Sequence, residues 1–448
     1  MVALQHEQRA HLEQTAMRPI LRPGEFFWAV VIALSIVVLM ALVAYLQQLR
    51  EGLAVTGLNQ RVSWGFYISD MVFFIGISYG GAMTSAILRL TNAPWRAPLS
   101  RIAETMAVVA VLVGAVFPLI DMGRPERMGN LFLHGQVGSP VLWDVVAVTT
   151  YLVAGVIFLY LPLIPDIAVC RDRLGPAGGK MRARLYELLA LGWQNTPEQK
   201  RALEWGTTVV AITIIPLAVA VHSVLAFLFG VTSRPGWDST IFAPYFVLGA
   251  MFSGVATVIL AVAGFRWAYH LEEYIGRKHF EYLSFIMLTL GVAYGYFMFS
   301  EYLTEGYKMH RGVGTMMELL MTGDLAPFFW LFGLGGLILP ILLVALPFTR
   351  NVSGITVAAL AVVLGMWLKR FLIVVPVLAE PLMPSEVVIY WPSRVEIAIT
   401  AGAAAAIPLL MLLFFRVFPI ISVYEIEEAA EAEPRKLESL AEDEGRLP

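Results

Sequence analysis

Apolar runs long enough to cross about 30 Å of hydrocarbon recur along this chain, separated by short polar intervals. Their pattern predicts helices over 26–48, 65–88, 102–121, 141–164, 207–230, 244–268, 280–300, 326–347, 353–377 and 395–418. The runs are nearly continuous, without the two-residue alternation of a half-buried strand. Inside lipid, a lone spanning segment satisfies its backbone hydrogen bonds only as a helix. The fold class that follows is an all-α integral membrane protein of about ten transmembrane helices. Its divisions are an N-terminal segment (1–25), a membrane domain (26–418, with a long loop at 165–206) and an acidic tail (419–448). Within the loop, GKMRARLYELLALGW at 179–193 pairs basic positions with an apolar face and predicts an interfacial helix. The Glu- and Ala-rich stretch from Tyr424 onward predicts a solvated, partly disordered tail.

Charge orients this map. The net charge of −3 carries little information, because what matters is where the 31 Lys and Arg lie. One side collects Arg89, Arg96 and Arg101, the run from Arg171 to Arg201, Arg266, Arg277, Lys278 and Arg350. The other has only scattered cations such as Arg50, Arg61, Arg124, Arg127, Arg234 and Arg394. Lys and Arg concentrate in cytoplasmic loops, so both termini are predicted cytoplasmic and the loops at 122–140 and 301–325 face a periplasm-like side. With 58% hydrophobic and 15% charged residues, against about a quarter charged for soluble chains, a soluble protein is excluded and no nucleic-acid partner is expected. A lone cysteine, Cys170, excludes a disulfide framework and a cysteine-ligated iron–sulfur cluster within the chain. Only His222 lies well inside a predicted helix, so a haem held by histidine on both faces is not expected, nor is a metal site.

Ionisable residues in lipid are costly and usually functional or paired. Asp70, Asp121 and Asp144 fall at the outer ends of the second, third and fourth helices, with Arg124, Glu126, Arg127 and His134 in one connecting loop. Consecutive antiparallel helices commonly pack together, so Asp121 and Asp144 are expected to face one pocket. A plain helix-end ion pair between Asp121 and Arg124 is the competing reading. Lys369 and Arg370, in GMWLKRFLIVVP, sit deep in the ninth helix, with Glu104 or Glu301 as candidate counter-charges. They are either a structural buried pair or part of a proton path. Pro216, Pro340, Pro376 and Pro408 are expected kink positions. GGAMTSAIL at 80–88 is echoed by GAMFSGVATVI at 249–259, which suggests close helix packing and two related four-helix bundles, or else chance similarity.

Specific strings carry a resemblance: WGFYISDMVFFIGI (64–77), RIAETMAVVAV (101–111), FPLIDMGRP (117–125), SPVLWDVVAVTTYL (139–152), LIPDIAVCRDR (163–173), PGWDSTIFAPYFVLGAMFSG (235–254) and KRFLIVVP (369–376). Together they cover most of 60–380 in order. The chain resembles the NrfD-like (polysulfide reductase membrane subunit) family, and within it the larger quinol-oxidising membrane subunit of alternative complex III. The resemblance implies two four-helix bundles flanked by one extra helix at each end, in a bacterial inner membrane. It also implies a quinone pocket near the periplasmic face, with quinone or menaquinone as substrate. The implied partners are a periplasmic iron–sulfur subunit, multihaem cytochrome c subunits and a paralogous NrfD-like membrane subunit. Asp144 matches a family pocket residue and Arg124 also agrees. Asp121 stands where that subunit has a histidine, Tyr79 where it has another, and Leu228 where it has an aspartate.

The expected roles follow. Quinol that loses two electrons also loses two protons, so its hydroxyls need acceptors within hydrogen-bond reach. Asp121 and Asp144 are the candidate catalytic acceptors, and Arg124, Tyr79 and Asp70 complete the candidate quinone site. Glu104, His222, Glu301, Lys369 and Arg370 form a candidate proton path. With no haem or cluster of its own, the chain would hand electrons directly to a partner. Competing readings are quinone reduction by the same kind of subunit, a non-catalytic scaffold paralogue, and a secondary transporter.

Overall fold

A computed structural model describes residues 6–21, 23–174, 179–232, 234–310, 312–380 and 387–430. Ten of its helices are long and apolar enough to cross a membrane. They are α1 (Glu25–Val55), α2 (Phe66–Leu90), α3 (Pro94–Asp121), α4 (Pro140–Leu174), α5 (Pro197–Gly230), α6 (Phe242–Tyr269), α7 (Arg277–Lys308), α8 (Ala326–Ala345), α9 (Val352–Ala379) and α10 (Arg394–Phe415). No strand occurs among the described residues. Because the spans alternate in direction, residues 6–21 and 416–430 share one side, the terminus side; the ends of α3 and α7 and the start of α4 lie on the opposite, distal side.

The observed helices overrun the apolar runs where a different signal governs their ends. α5 starts ten residues before its apolar stretch, at Pro197, because Thr196 accepts a hydrogen bond from the Gln199 backbone (3.3 Å) and Gln199 caps the chain in return. α4 continues through Pro162 and Pro165 to Leu174, carrying Arg171 and Arg173 in its last turn, where cations suit the helix dipole. α3 is broken instead: a helix over Ala97–Gly114 gives way to a short one over Phe117–Asp121, with Pro118 in its first turn. In α8 the turns widen into a π-helix over Leu331–Ile338, just before Pro340, whose ring denies the preceding turn a regular hydrogen bond.

Helix pairing is organised around α2 and α6. α2 packs on α3, α5 and α6, and α4 packs on α3 and α5. α6 packs on α7 and α9, and α8 packs on α7 and α9. α1 and α10 lie against each other, and α10 also meets α2 and α3. The α2–α6 crossing falls on the two echoing segments: a Cβ added to Gly80 would overlap the Gly254 Cα, so only two glycines allow this approach. Gly336 and Gly365 repeat the device between α8 and α9, where a Cβ at Gly365 would overlap the Gly336 Cα.

On the terminus side a helix over Lys180–Leu189 forms as the loop pattern predicts. Its Tyr186 is buried and donates to the Val417 carbonyl at 2.7 Å, which ties the loop to the end of α10. The tail departs from expectation as far as residue 430, beyond which it lies outside the described residues. Residues 423–430 are helical, and Glu425 is only 2% exposed. Its carboxylate pairs with Arg89 and with Arg96, the latter at 2.8 Å, and the Tyr424 backbone N–H donates to Asp166 at 3.1 Å. Composition alone suggested solvation, whereas one glutamate satisfying two arginines holds this stretch down. Burial by itself would raise the Glu425 carboxyl, but Arg89, Arg96 and Arg101 outweigh it and hold it below the ordinary glutamate range.

Candidate functional site

Helix register decides what each distal acid meets. From the start of α4, buried positions follow the sequence Asp144, Val148, Tyr151, Gly155 and Phe158, the i, i+4, i+7 rhythm of one inward face. Asp144 therefore stands directly above Tyr151 on that face, about 10 Å nearer the distal surface. From α2, Tyr79 meets the Tyr151 ring edge-on at 4.6 Å, and on its other side meets His222 of α5 at 4.8 Å. Asp144 lies close enough to act electrostatically on Tyr79. Ser78 donates to the Ala107 carbonyl at 2.6 Å and lies 3.2 Å from the Tyr151 hydroxyl. The Tyr79 hydroxyl, one Asp144 oxygen and both His222 ring nitrogens are buried without a hydrogen-bond partner in the protein. An unpaired buried polar atom costs roughly 1–3 kcal/mol, so four converging from three helices is a costly arrangement for a purely structural core.

Asp121 has different neighbours. It ends the short segment after the break in α3, within electrostatic reach of Tyr67 and Glu396, and one of its oxygens is buried without a partner. The preceding residue, Ile120, accepts from Gln48 at 2.8 Å, and Gln48 accepts from Tyr67 at 2.5 Å. Glu396, fully buried, accepts from the Gly57 backbone (2.7 Å), the Ser393 backbone (2.8 Å) and the Tyr390 hydroxyl. Among the described residues no hydrogen bond or ion pair joins Asp121 to Asp144 or to Arg124, which is exposed. Adjacent helices bring the two acids to one side of the membrane, but the rotation of each helix about its axis sets the facing direction. Asp70 is held as a clasp: Trp367 of α9 donates to one oxygen at 2.8 Å and Thr400 of α10 to the other at 2.5 Å.

The charges of α9 have separate surroundings. Lys369 donates to the Tyr302 hydroxyl at 2.8 Å, sits 4.9 Å from that ring, and has Glu301 within electrostatic reach. With Glu305 they border a cavity of about 30 Å³, room for a water. Arg370 lies 5.1 Å over the Phe246 ring, and none of its three guanidinium nitrogens has a hydrogen-bond partner in the protein. It acts electrostatically on His222, and Tyr294, also near it, donates to Tyr245 at 2.9 Å. A broken line of buried polar groups thus runs from Glu305 and Glu301 through Lys369 and Tyr302, then Arg370, His222, Tyr79 and Tyr151 to Asp144.

Glu104 belongs elsewhere. It accepts from Ser85 at 2.7 Å on the terminus side, near Arg89, Arg101 and Glu425. There Arg101 and Asp166 form a fully buried ion pair at 2.7 Å. Of the two candidate counter-charges for Lys369, Glu301 is the one beside it. Tyr151, Tyr245, Tyr294 and Tyr302 did not stand out from sequence, because a tyrosine in an apolar run reads as core. The seven-residue spacing from Asp144 to Tyr151 was the available signal. Among the described residues no group of three His, Cys, Asp or Glu side chains is arranged to hold a metal.

Comparison with known proteins adds a family to this geometry. The family described as polysulphide reductase, NrfD matches residues 54–381. The chain is 27% identical over 439 residues to a Halobacterium salinarum protein provisionally named as a dimethyl sulfoxide reductase membrane subunit, with 91% of this chain and 95% of that one covered. It is 26% identical to a selenate reductase subunit of Mesobacillus selenatarsenatis, over 78% of this chain and 82% of the relative. With the Hdr-like menaquinol oxidoreductase integral membrane subunit of Archaeoglobus fulgidus it shares 25% identity, over 90% of this chain and 96% of the relative.

Proposed function

The chain belongs to the polysulphide reductase NrfD family, and from that premise we propose that it is the quinone-binding membrane subunit of a respiratory oxidoreductase. In this reading quinol is oxidised near the distal face, and electrons pass directly to an iron–sulfur subunit docked there, with cytochrome c subunits and a second NrfD-like subunit in the same complex. The two-bundle arrangement, α2–α5 and α6–α9 flanked by α1 and α10, is supported by the helix pairings. Cytoplasmic termini are supported by the Lys and Arg asymmetry.

The observation that carries the proposal is the group Asp144, Tyr79, Tyr151 and His222, polar, buried and incompletely paired behind the distal end of α4. Quinol oxidation releases two electrons and two protons per molecule. Asp144 is the acceptor for one hydroxyl proton, and Tyr79 and His222 present polar atoms to the ring oxygens. Asp121 is the candidate second acceptor on the same side, reached through the Glu396–Tyr67 neighbourhood. Glu301, Lys369, Arg370 and His222 supply a route for protons across the two bundles, and Glu104 a terminus-side station. The names of the relatives support a quinone: one is a menaquinol oxidoreductase subunit, and another, from Nitratidesulfovibrio vulgaris, is a menaquinone reductase subunit. Those two names point in opposite directions of electron flow, and quinol oxidation is the direction proposed for this chain.

A photoreactive azidoquinone in native membranes tests the placement. Labelled peptides should contain Asp144, Tyr151 or Tyr79, and excess quinone should protect them. Labelling confined to the terminus side would overturn the site.

A further inference from the structure

A cavity of about 660 Å³ belongs to no part of the site above. It lies between α1, α2, α6 and α10, with Phe27, Ile77, Leu260, Gly264, Phe265 and Ile407 among its walls. Its volume falls within the roughly 300–1,000 Å³ of small-molecule sites, and its walls are apolar except at one end. At its rim Phe26 of α1 and Trp267 of α6, both exposed to the surroundings, meet edge-on at 5.4 Å.

The polar end is built from Arg18 and Tyr269. Tyr269 is 8% exposed, its ring stacks on Phe265 at 6.2 Å, and its hydroxyl is buried with no hydrogen-bond partner in the protein. Arg18 donates to the Tyr269 backbone carbonyl at 3.1 Å. Arg416 acts electrostatically on Tyr269 and donates to the Pro19 and Ile20 carbonyls. Among the described residues neither arginine pairs with a carboxylate, although ion pairs are common elsewhere on this side. Arg18, without a carboxylate partner, and the unsatisfied Tyr269 hydroxyl thus cap an apolar crevice open to the lipid, with Arg416 within electrostatic reach of Tyr269.

We propose that this crevice holds one anionic phospholipid, with an acyl chain between α1, α6 and α10 and its phosphate at Arg18 and the Tyr269 hydroxyl. The charge of the cap selects the occupant. A quinone brings a long apolar tail but a neutral head, and would leave both arginines without a counter-charge. A phosphodiester brings acceptor oxygens and a negative charge to the side that carries the Lys and Arg excess, where anionic headgroups concentrate. Such a lipid also joins α1 and α10 to α6 at this end, beside the Phe26–Trp267 and Phe265–Phe415 contacts.

The test uses the full chain with whatever subunits purify with it, in nanodiscs of zwitterionic lipid doped with phosphatidylglycerol, followed by native mass spectrometry. The parent should retain one phosphatidylglycerol per chain. Gly264→Phe should abolish retention by filling the crevice; a Cβ there meets nothing within 4 Å, so the helix accepts it. Tyr269→Phe removes a hydroxyl that bonds to no protein atom, and together with Arg18→Gln it should lower retention roughly tenfold or more. This pair decides the matter should Gly264→Phe fail to fold. Retention equal to the parent in the charge-cap variants, or a resident molecule that is a quinone or a zwitterionic phospholipid, overturns the proposal.

Discussion

Asp70 and Asp144 occupy similar depths one turn into their helices, yet their surroundings assign them opposite work. Asp70 has protein donors on both oxygens and fastens α2 to α9 and α10. Asp70→Ala leaves the Trp367 and Thr400 donors unpaired, at a cost of about 1–3 kcal/mol each, so thermal unfolding in detergent should occur at a clearly lower temperature. An unchanged midpoint would contradict the clasp. Glu425 is the residue-scale counterpart on the terminus side. Its folded-state pKa is depressed, so its contribution to stability is present above the ordinary glutamate pKa of about 4.3 and is lost as pH falls below it. Residues 423–430 should resist proteolysis at pH 7 and become cleavable with acidification through that range. In Glu425→Gln they should be cleavable already at pH 7, because breaking a buried pair costs on the order of 3 kcal/mol. That several acids lie within the spans was legible from sequence. That Asp144 acts on Tyr79, which packs between Tyr151 and His222, while Asp121 acts on Tyr67 and feels Glu396 was not, since a linear pattern does not fix the rotation of one helix against the next.

At the scale of elements, all ten spans were legible because each must present apolar surface along its whole membrane length. Their ends were legible only where the signal is chemical rather than hydropathic. The Thr196–Gln199 capping box marks the true start of α5, and Pro118 marks the break in α3. The docking of residues 423–430 was invisible, because the arginines that hold Glu425 lie more than three hundred positions away. The small-residue echo between α2 and α6 had a physical meaning: Gly80 and Gly254 are where these helices touch. Gly80→Leu forces the α2–α6 crossing apart, and should reduce the yield of folded, monodisperse protein severely. Gly264→Ala, on the same α6 but facing open space, should leave it unchanged. Equal yields would show that the crossing tolerates bulk.

At the scale of the molecule, the polar line from Glu305 to Asp144 spans both helix groups and passes the α2–α6 junction through His222 and Arg370. Its distal ends face the side proposed to receive the iron–sulfur partner, which fixes a topological requirement. Reporter fusions at Gly135 and after residue 430 should report opposite compartments; the same compartment for both would break the ten-span arrangement. The central claim is that Asp144 takes a proton from bound quinol. The direct measurement is the rate of quinol-dependent reduction of the partner's iron–sulfur clusters in membranes that contain Asp144→Asn, with Asp121→Asn alongside. Asparagine keeps size and polarity and removes the acceptor, so Asp144→Asn should assemble normally and slow cluster reduction by about a hundredfold or more. Cluster reduction at the parental rate in an assembled Asp144→Asn complex would contradict the account.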